Sequence, residues 1–198
     1  MKKHAPATLR NREAILDVLR RELPASGTVL EIAAGSGEHA VFFAQNLPNL
    51  NWLASDPAAD ALESISAYRA EAGLPNLKAP LELDASARKW PIREAAAIVC
   101  INMVHISPWM ATQGLLAGAA QILGDGQAPL ILYGPYFEQG VEPAPSNLQF
   151  DQSLRERNSG WGIRRAEEMD SLASEHGFAR SARYEMPANN LALVYRAR

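Results

Sequence analysis

Short apolar runs alternate with stretches of helical periodicity through most of the chain. The clearest runs cover residues 28–32, 51–55, 96–101 and 129–133, and a weaker one covers residues 77–83. Between them, apolar positions recur every three to four residues, which is typical of helices packed on one face. This alternation predicts an α/β fold in which crossover helices cover a mostly parallel sheet.

The two ends of the chain extend this pattern. Residues 1–24 are predicted to form an N-terminal helix that Thr8 caps. Residues 179–185 and 191–196 predict a hairpin-like pair that closes the sheet with an antiparallel final strand. The segment 134–147 is rich in proline and glycine and long for a connection, so we predict a lid-like loop there. All 198 residues are assigned to a single domain.

Composition narrows the function classes. No apolar run approaches a membrane span, the start lacks the apolar core of a signal peptide, and Cys100 is the only cysteine. We therefore expect a cytoplasmic protein with no membrane partner. Nineteen scattered Lys and Arg face 22 Asp and Glu, which argues against nucleic acid as a partner. The four histidines show no ligand spacing, so no metal is expected, and oligomeric state is left unassigned.

A glycine turn follows the first predicted strand. Gly35 and Gly37 lie where a ligand could approach the backbone, although a tight turn with no ligand has the same pattern. The spacing Gly35-x-Gly37-x-x-Ala40 also satisfies the dinucleotide fingerprint. Glu38 in the first helical turn would repel phosphate, and residues 22–68 contain no Lys or Arg. These charges favour a phosphate-free ligand with a positive centre, such as S-adenosylmethionine (SAM), over NAD.

Acidic residues end or interrupt the first three predicted strands. Asp56 ends the second strand, where a carboxylate can accept both ribose hydroxyls. Asp84, followed by Ala85, ends the third and can accept the adenine amino group; each Asp could instead cap the next helix. Glu31 lies inside an apolar strand, where it must be hydrogen-bonded. It could anchor loop amides near the amino-acid end of the ligand or serve a purely structural role.

The loop after the fourth predicted strand forms the second wall of the crevice if strands one and four are neighbours. His105 is the best candidate base because its ordinary pKa lies near 6.5, although a loop histidine is more often structural. Asn102 is the second candidate catalytic residue, and it could hold a backbone or ligand amine. Methyl transfer is an in-line displacement that depends mainly on positioning, so a base is optional.

Several runs of the chain resemble known families. Residues 29–37 resemble the first motif of class I SAM-dependent methyltransferases, with Ala33 where glycine is usual, and Asp56 and Asp84 match that superfamily's ribose and adenine positions. Most of the chain resembles a methyltransferase-like family of unknown substrate found in bacteria and animals. The matching runs are Arg10-Asn11, Cys100–Pro108, Tyr133–Tyr136, Ser146-Asn147, Phe150-Asp151, Leu154-Arg155, Arg157-Asn158, Trp161-Gly162 and Met186–Asn190.

The resemblance implies a three-layer, Rossmann-like methyltransferase sandwich with a seven-stranded sheet and SAM as cofactor. The predicted cofactor-binding residues are Asn11, Glu31, Ala33, Gly35, Gly37, Asp56, Asp84, Ala85 and Asn102. The predicted substrate-pocket residues are polar or aromatic and lie in or beside loops: Tyr136, Asn147, Asp151, Arg155 and Trp161. The leading hypothesis is a methyltransferase with a small-molecule acceptor. The alternatives are a non-catalytic SAM-binding module and an NAD-linked oxidoreductase.

Overall fold

The computed structural model describes residues 1–124 and 126–198. Its strands, numbered along the chain, are β1 Gly27–Ile32, β2 Leu50–Asp56, β3 Leu81–Glu82, β4 Ala97–Ile101, β5 Leu130–Gly134, β6 Tyr136–Phe137, β7 Arg164–Arg165, β8 Phe178–Met186 and β9 Asn190–Ala197. The helices are α1 Pro6–Glu22, α2 Glu38–Asn46, α3 Ala59–Ala72, α4 Trp109–Ile122, α5 Pro145–Arg157 and α6 Ala166–Glu175.

Seven strands form one sheet in the order β3-β2-β1-β4-β5-β9-β8. β1 pairs in parallel with both β2 and β4, so the chain reverses its direction of winding between β1 and β4. β9 runs antiparallel between β5 and β8. The predicted seven-stranded, mostly parallel sheet with an antiparallel final strand is confirmed, and the crevice lies at the carboxyl ends of β1 and β4.

Helices cover both faces of this sheet. Alternate residues of β1 point to opposite faces, so Leu30 packs with α4 and α6 while Val29 packs with α1, α2 and α3. Both side chains are fully buried. The fold is therefore the predicted three-layer sandwich. None of its described helices has the length and apolar character needed to cross a membrane.

Two local predictions differ from the structure. Thr8 does not cap α1, because the helix begins at Pro6 with Ala5 at the N-cap, and Thr8 is buried inside the first turn. Proline suits that position since the first helical N–H groups have no intrahelical acceptor. The third strand is only Leu81–Glu82 with an isolated bridge at Leu77, because Pro80 cannot donate to the ladder between them.

The first residues of the predicted lid-like segment are held by contacts with later parts of the chain. Tyr136 and Phe137 pair in parallel with Arg164 and Arg165, forming a small second sheet from β6 and β7. The Glu138 carboxylate lies 2.6 Å from the Arg183 guanidinium of β8. The segment ends where α5 begins, at Pro145. Its role as a lid stays a prediction.

Candidate functional site

The turn after β1 presents open backbone to the crevice. Ala33, Gly35 and Gly37 all have left-handed φ angles, of 54°, 58° and 89°. A Cβ on Gly37 would lie 2.9 Å from Ile65 Cα, so that position needs glycine for space as well as for φ. A Cβ on Gly35 would meet nothing within 4 Å. The Gly35 backbone is therefore accessible to a ligand.

Asp56 holds this turn in place. Its two carboxylate oxygens accept hydrogen bonds from Gly35 N and from Ala58 N, each at 3.0 Å. The side chain is buried at the end of β2. Each carboxylate oxygen has a further lone pair, so Asp56 can still accept a hydrogen bond from a ligand. The cap interpretation and the ligand interpretation of Asp56 are thus compatible.

A cleft of about 290 Å³ continues from the glycine turn across the ends of β2 and β3. Ala33, Pro57, Ala85 and Met110 contribute apolar surface to it, and Asp84 lies in its lining. Asp84 Oδ1 accepts hydrogen bonds from Ser86 N at 2.8 Å and from Ser86 Oγ at 2.7 Å. This narrow, mostly apolar cleft suits a flat ring.

A larger cavity, of about 720 Å³, lies over the ends of β4 and β5. The predicted residues Asn11 and Asn102 both line it, together with Tyr133. Asn102 adopts a left-handed φ of 64°, and its N–H donates to Tyr133 O at 2.8 Å, which joins the two strand ends. Asn11 Oδ1 lies 2.9 Å from His39 Nε2. Helices α1 and α2 are thereby linked beside the cavity.

The loop from Asn102 to Pro108 contributes lining residues to both cavities. Asn102 and Ile106 line the larger one, whereas Met103 and Ser107 line the cleft. One extended ligand could therefore contact both spaces along a single segment.

The carboxylate of Glu38 occupies the N-terminus of α2. It accepts hydrogen bonds from Ala5 N at 2.7 Å and from Ser36 Oγ at 3.0 Å, and lies 2.8 Å from His4 Nδ1. Partial burial tends to raise the pKa of Glu38, but these hydrogen bonds hold it below its ordinary value. A phosphate binding at this helix end would have to displace a charged and fully engaged carboxylate.

Glu31 is buried beneath the site rather than exposed in it. Trp52 Nε1 donates to Glu31 Oε2 at 2.7 Å, so the partner is an indole and not the predicted loop amides. Burial raises the pKa of Glu31 to about 7, against the lowering effect of the Trp52 hydrogen bond and with a further rise from the Asp56 charge. The Glu31 carboxyl is thus largely protonated below neutral pH.

The buried Glu31 gives a pH-dependent stability term. Its folded pKa is raised from 4.5, so its favourable contribution is present below pH 4.5 and is lost as the pH rises to about 7. Glu31→Gln keeps an acceptor for Trp52 and cannot ionise. We expect the difference in unfolding free energy, variant minus native, to be about 3 kcal/mol larger at pH 8 than at pH 4.5. Urea unfolding at both pH values measures this, and parallel pH profiles would contradict it.

His105 lies below the crevice, not in it. The residue is 0% exposed, and its ring contacts the Tyr136 ring at 4.6 Å between centroids. Its Nδ1 accepts from Arg164 N at 3.3 Å, and Gly162 N donates to its carbonyl at 2.9 Å. Burial first, and the Arg164 charge second, lower the pKa of His105 to about 3. A neutral, buried imidazole has no access to a bound acceptor, so this geometry does not favour His105 as a base.

Only two of the five predicted substrate-pocket residues line one of the three cavities, and the other three make internal contacts. Tyr136 and Asn147 line a third cavity of about 310 Å³, and Asn147 also lines the larger one. Asp151 accepts from Ile163 N at 2.7 Å and from Arg155 Nε at 2.8 Å, which makes an internal network. Asp151, Arg155 and Trp161 line none of the three cavities. Their observed contacts hold the chain after α5.

Other residues line the larger cavity without having been assigned to a site: Arg10, Tyr133, Phe150, Arg157 and Asn190. All of them fall within the runs that carried the family resemblance, which is the signal that pointed to them. In the described part of the chain, no cluster of His, Cys, Asp or Glu is arranged to hold a metal ion.

A match to a protein-family model assigns the chain to a family. The model described as "Protein of unknown function (DUF938)" matches residues 2–197, nearly the full length. The chain belongs to the DUF938 family.

Solved methyltransferase structures share the fold of this DUF938 protein. The SAH-bound form of a methyltransferase in calicheamicin biosynthesis superposes with a TM-score of 0.75 at 17% identity, covering 94% of this chain and 54% of that one. The mitomycin 7-O-methyltransferase gives 0.81 at 16% identity, covering 97% and 54%. An O-methyltransferase family protein from Burkholderia thailandensis gives 0.80 at 14% identity, covering 96% and 57%. The DUF938 chain thus spans about half the length of these structures.

Proposed function

We propose that this DUF938 protein is a SAM-dependent methyltransferase with a small-molecule acceptor. The observation that carries the proposal is the pair of cavities at the carboxyl ends of the strands, both lined by residues of the 102–108 loop, with Ala33 of the glycine turn in the lining of the cleft. The fold shared with methyltransferases, one of them bound to S-adenosylhomocysteine (SAH), supports it.

The smaller cleft suits the nucleoside. Pro57, Ala85 and Met110 offer apolar surface to a purine ring, and the exposed Asp84 can accept its amino group. Asp56, at the end of β2, has spare acceptor capacity for ribose hydroxyls. The glycine turn lies beside the cleft, because Ala33 is part of the cleft lining, and a Cβ on Gly35 would meet nothing within 4 Å.

The larger cavity suits the amino-acid end and the acceptor. Asn11 and Asn102 offer amide donors and acceptors there. Glu38 at the start of α2 favours a ligand without phosphate, which separates SAM from NAD. When bound, SAM would supply a methyl group on a sulfonium, so that an acceptor could bond to the methyl carbon in line while the sulfur leaves as the thioether of SAH. The chain's own part is to position the two reactants and to exclude water, since His105 is not exposed to remove a proton.

Calorimetric titration of the protein with SAM, SAH and NAD tests this proposal. We expect SAM and SAH to bind with dissociation constants on the order of micromolar, and NAD to show no saturable binding. Binding of NAD alone would instead favour the oxidoreductase alternative. A second step incubates the protein with methyl-labelled SAM and a small-molecule extract. Cofactor binding with no labelled product in any fraction would favour the non-catalytic module.

A further inference from the structure

The larger cavity is lined by positive charge. Among the described residues, its lining includes Arg10 and Arg157 and no Asp or Glu, although the protein carries a net charge of -3. Arg10 extends from α1 and Arg157 from the last turn of α5. Two unrelated helices therefore bring cations to one concave space.

Neither guanidinium is neutralised by the rest of the described chain. Within residues 1–124 and 126–198, the Arg10 side chain makes no hydrogen bond or ion pair, and the Arg157 side chain only donates from Nε to Ser153 O at 3.2 Å and lies over the Trp161 ring. Of the two carboxylates on α5, Asp151 is engaged by Arg155 and by Ile163 N, and Glu156 accepts a hydrogen bond from Gln152 Nε2 at 2.8 Å. The cavity thus holds donors for a negative group that the chain does not supply.

Apolar surface lies beside these cations. Ile106 and Phe150 line the same cavity and are 41% and 39% exposed, so both present apolar surface to a ligand there. A ligand that contacts both kinds of surface must carry a charged group on an apolar body. The amino-acid end of a bound cofactor would bring one carboxylate with its own ammonium beside it, so it would leave net positive charge at the two guanidinium groups.

We infer that the acceptor is a small molecule with an anionic group on an apolar or aromatic body, held by Arg10 and Arg157 against Phe150. The anion is a carboxylate, sulfonate or phosphate, since each matches the fork of a guanidinium. That this ligand is a methyl acceptor rests on the proposed function, whereas the anion site itself does not.

A pair of fluorescent probes tests the anion site. 8-Anilinonaphthalene-1-sulfonate carries both features, and N-phenyl-1-naphthylamine has the same apolar body without the charge. We expect the double variant Arg10→Gln/Arg157→Gln to bind the sulfonate probe about tenfold or more weakly, and the neutral probe within about twofold of the native protein. Arg93→Gln is the matched control, because Arg93 is exposed before β4, at the amino-terminal side of that strand, whereas the cavity lies at its carboxyl end. Arg93→Gln should leave the affinity for both probes unchanged.

Unchanged affinity for the sulfonate probe in a folded double variant would overturn the inference, as would equal weakening of both probes. The titrations are run with and without saturating SAH, and SAH affinity is measured in each single variant. A loss of SAH binding in Arg10→Gln, with the sulfonate probe unaffected, would assign Arg10 to the cofactor and also overturn the inference. Since the probe comparison does not need SAH to bind, failure of the proposed function is distinguishable from failure of the anion site.

Discussion

Asp56→Ala is expected to weaken SAH binding about tenfold to a hundredfold, measured by calorimetry. The change removes the acceptor that holds Gly35 N and Ala58 N, and with it the charge assigned to the ribose. Because both donors lie beside the cleft, their release disturbs the turn as well as the direct contact. Asp56→Asn keeps the shape and one acceptor oxygen, so its loss of affinity should be smaller.

Asp60→Ala is the matched control for the Asp56 variants. Asp60 is a carboxylate on α3 whose side chain is 69% exposed and pairs with Lys3 at 2.7 Å, outside both cavities. Its removal should leave SAH affinity unchanged. Native-like SAH affinity in a folded Asp56→Ala protein would remove Asp56 from the proposed cofactor site.

Gly114→Ala is expected to have the largest combined effect on stability and binding. Gly114 lies within α4, and a Cβ there would overlap the Ala85 carbonyl oxygen and lie 2.6 Å from Ser86 Cα. Alanine gains about 1 kcal/mol in helix propensity, but overpacking costs about 1–3 kcal/mol or more, and a backbone neighbour cannot rotate away. We expect a net loss of about 2 kcal/mol, or about 4–8 °C in Tm.

The same variant should reduce SAH affinity about tenfold or more, because relief of the overlap must move Ala85 in the cleft wall. Gly126→Ala is the control, since a Cβ at Gly126 would meet nothing within 4 Å. Thermal melting and calorimetry on both variants measure the two effects. A Gly114→Ala protein with raised Tm and full affinity would show that α4 does not shape the cleft.

The fold could be predicted from the sequence because its strands are continuous apolar runs. β1, β2 and β4 are almost wholly buried, so each is a nearly continuous apolar run, and the helical periodicity between the runs predicts the parallel sheet. The predicted length of β3 is too great because Pro80 interrupts a run that otherwise has strand character. Thr8 satisfied the rule for a cap, yet Pro6 began the helix earlier. Local signals compete at such ends, and packing decides between them.

The site was harder to predict because residues that are far apart in the sequence line its cavities. Polar residues such as Asp151 have the same sequence signature whether they bind a ligand or hold a loop, and only the contact with Ile163 N distinguishes the two. His105 appeared accessible after a strand end, but the chain from Gly162 to Arg164 covers it. Arg10 and Arg157 resemble ordinary solvated helix residues until the topology brings α1 and α5 to one cavity.

A crystal structure of the protein with SAH tests the central claim most directly. We predict that the adenine ring lies in the cleft between Pro57, Ala85 and Met110, with the ribose toward Asp56 and the sulfur facing the larger cavity beside Asn102. SAH bound at any other surface, or a crevice that stays empty at saturating SAH and admits a dinucleotide instead, would contradict it.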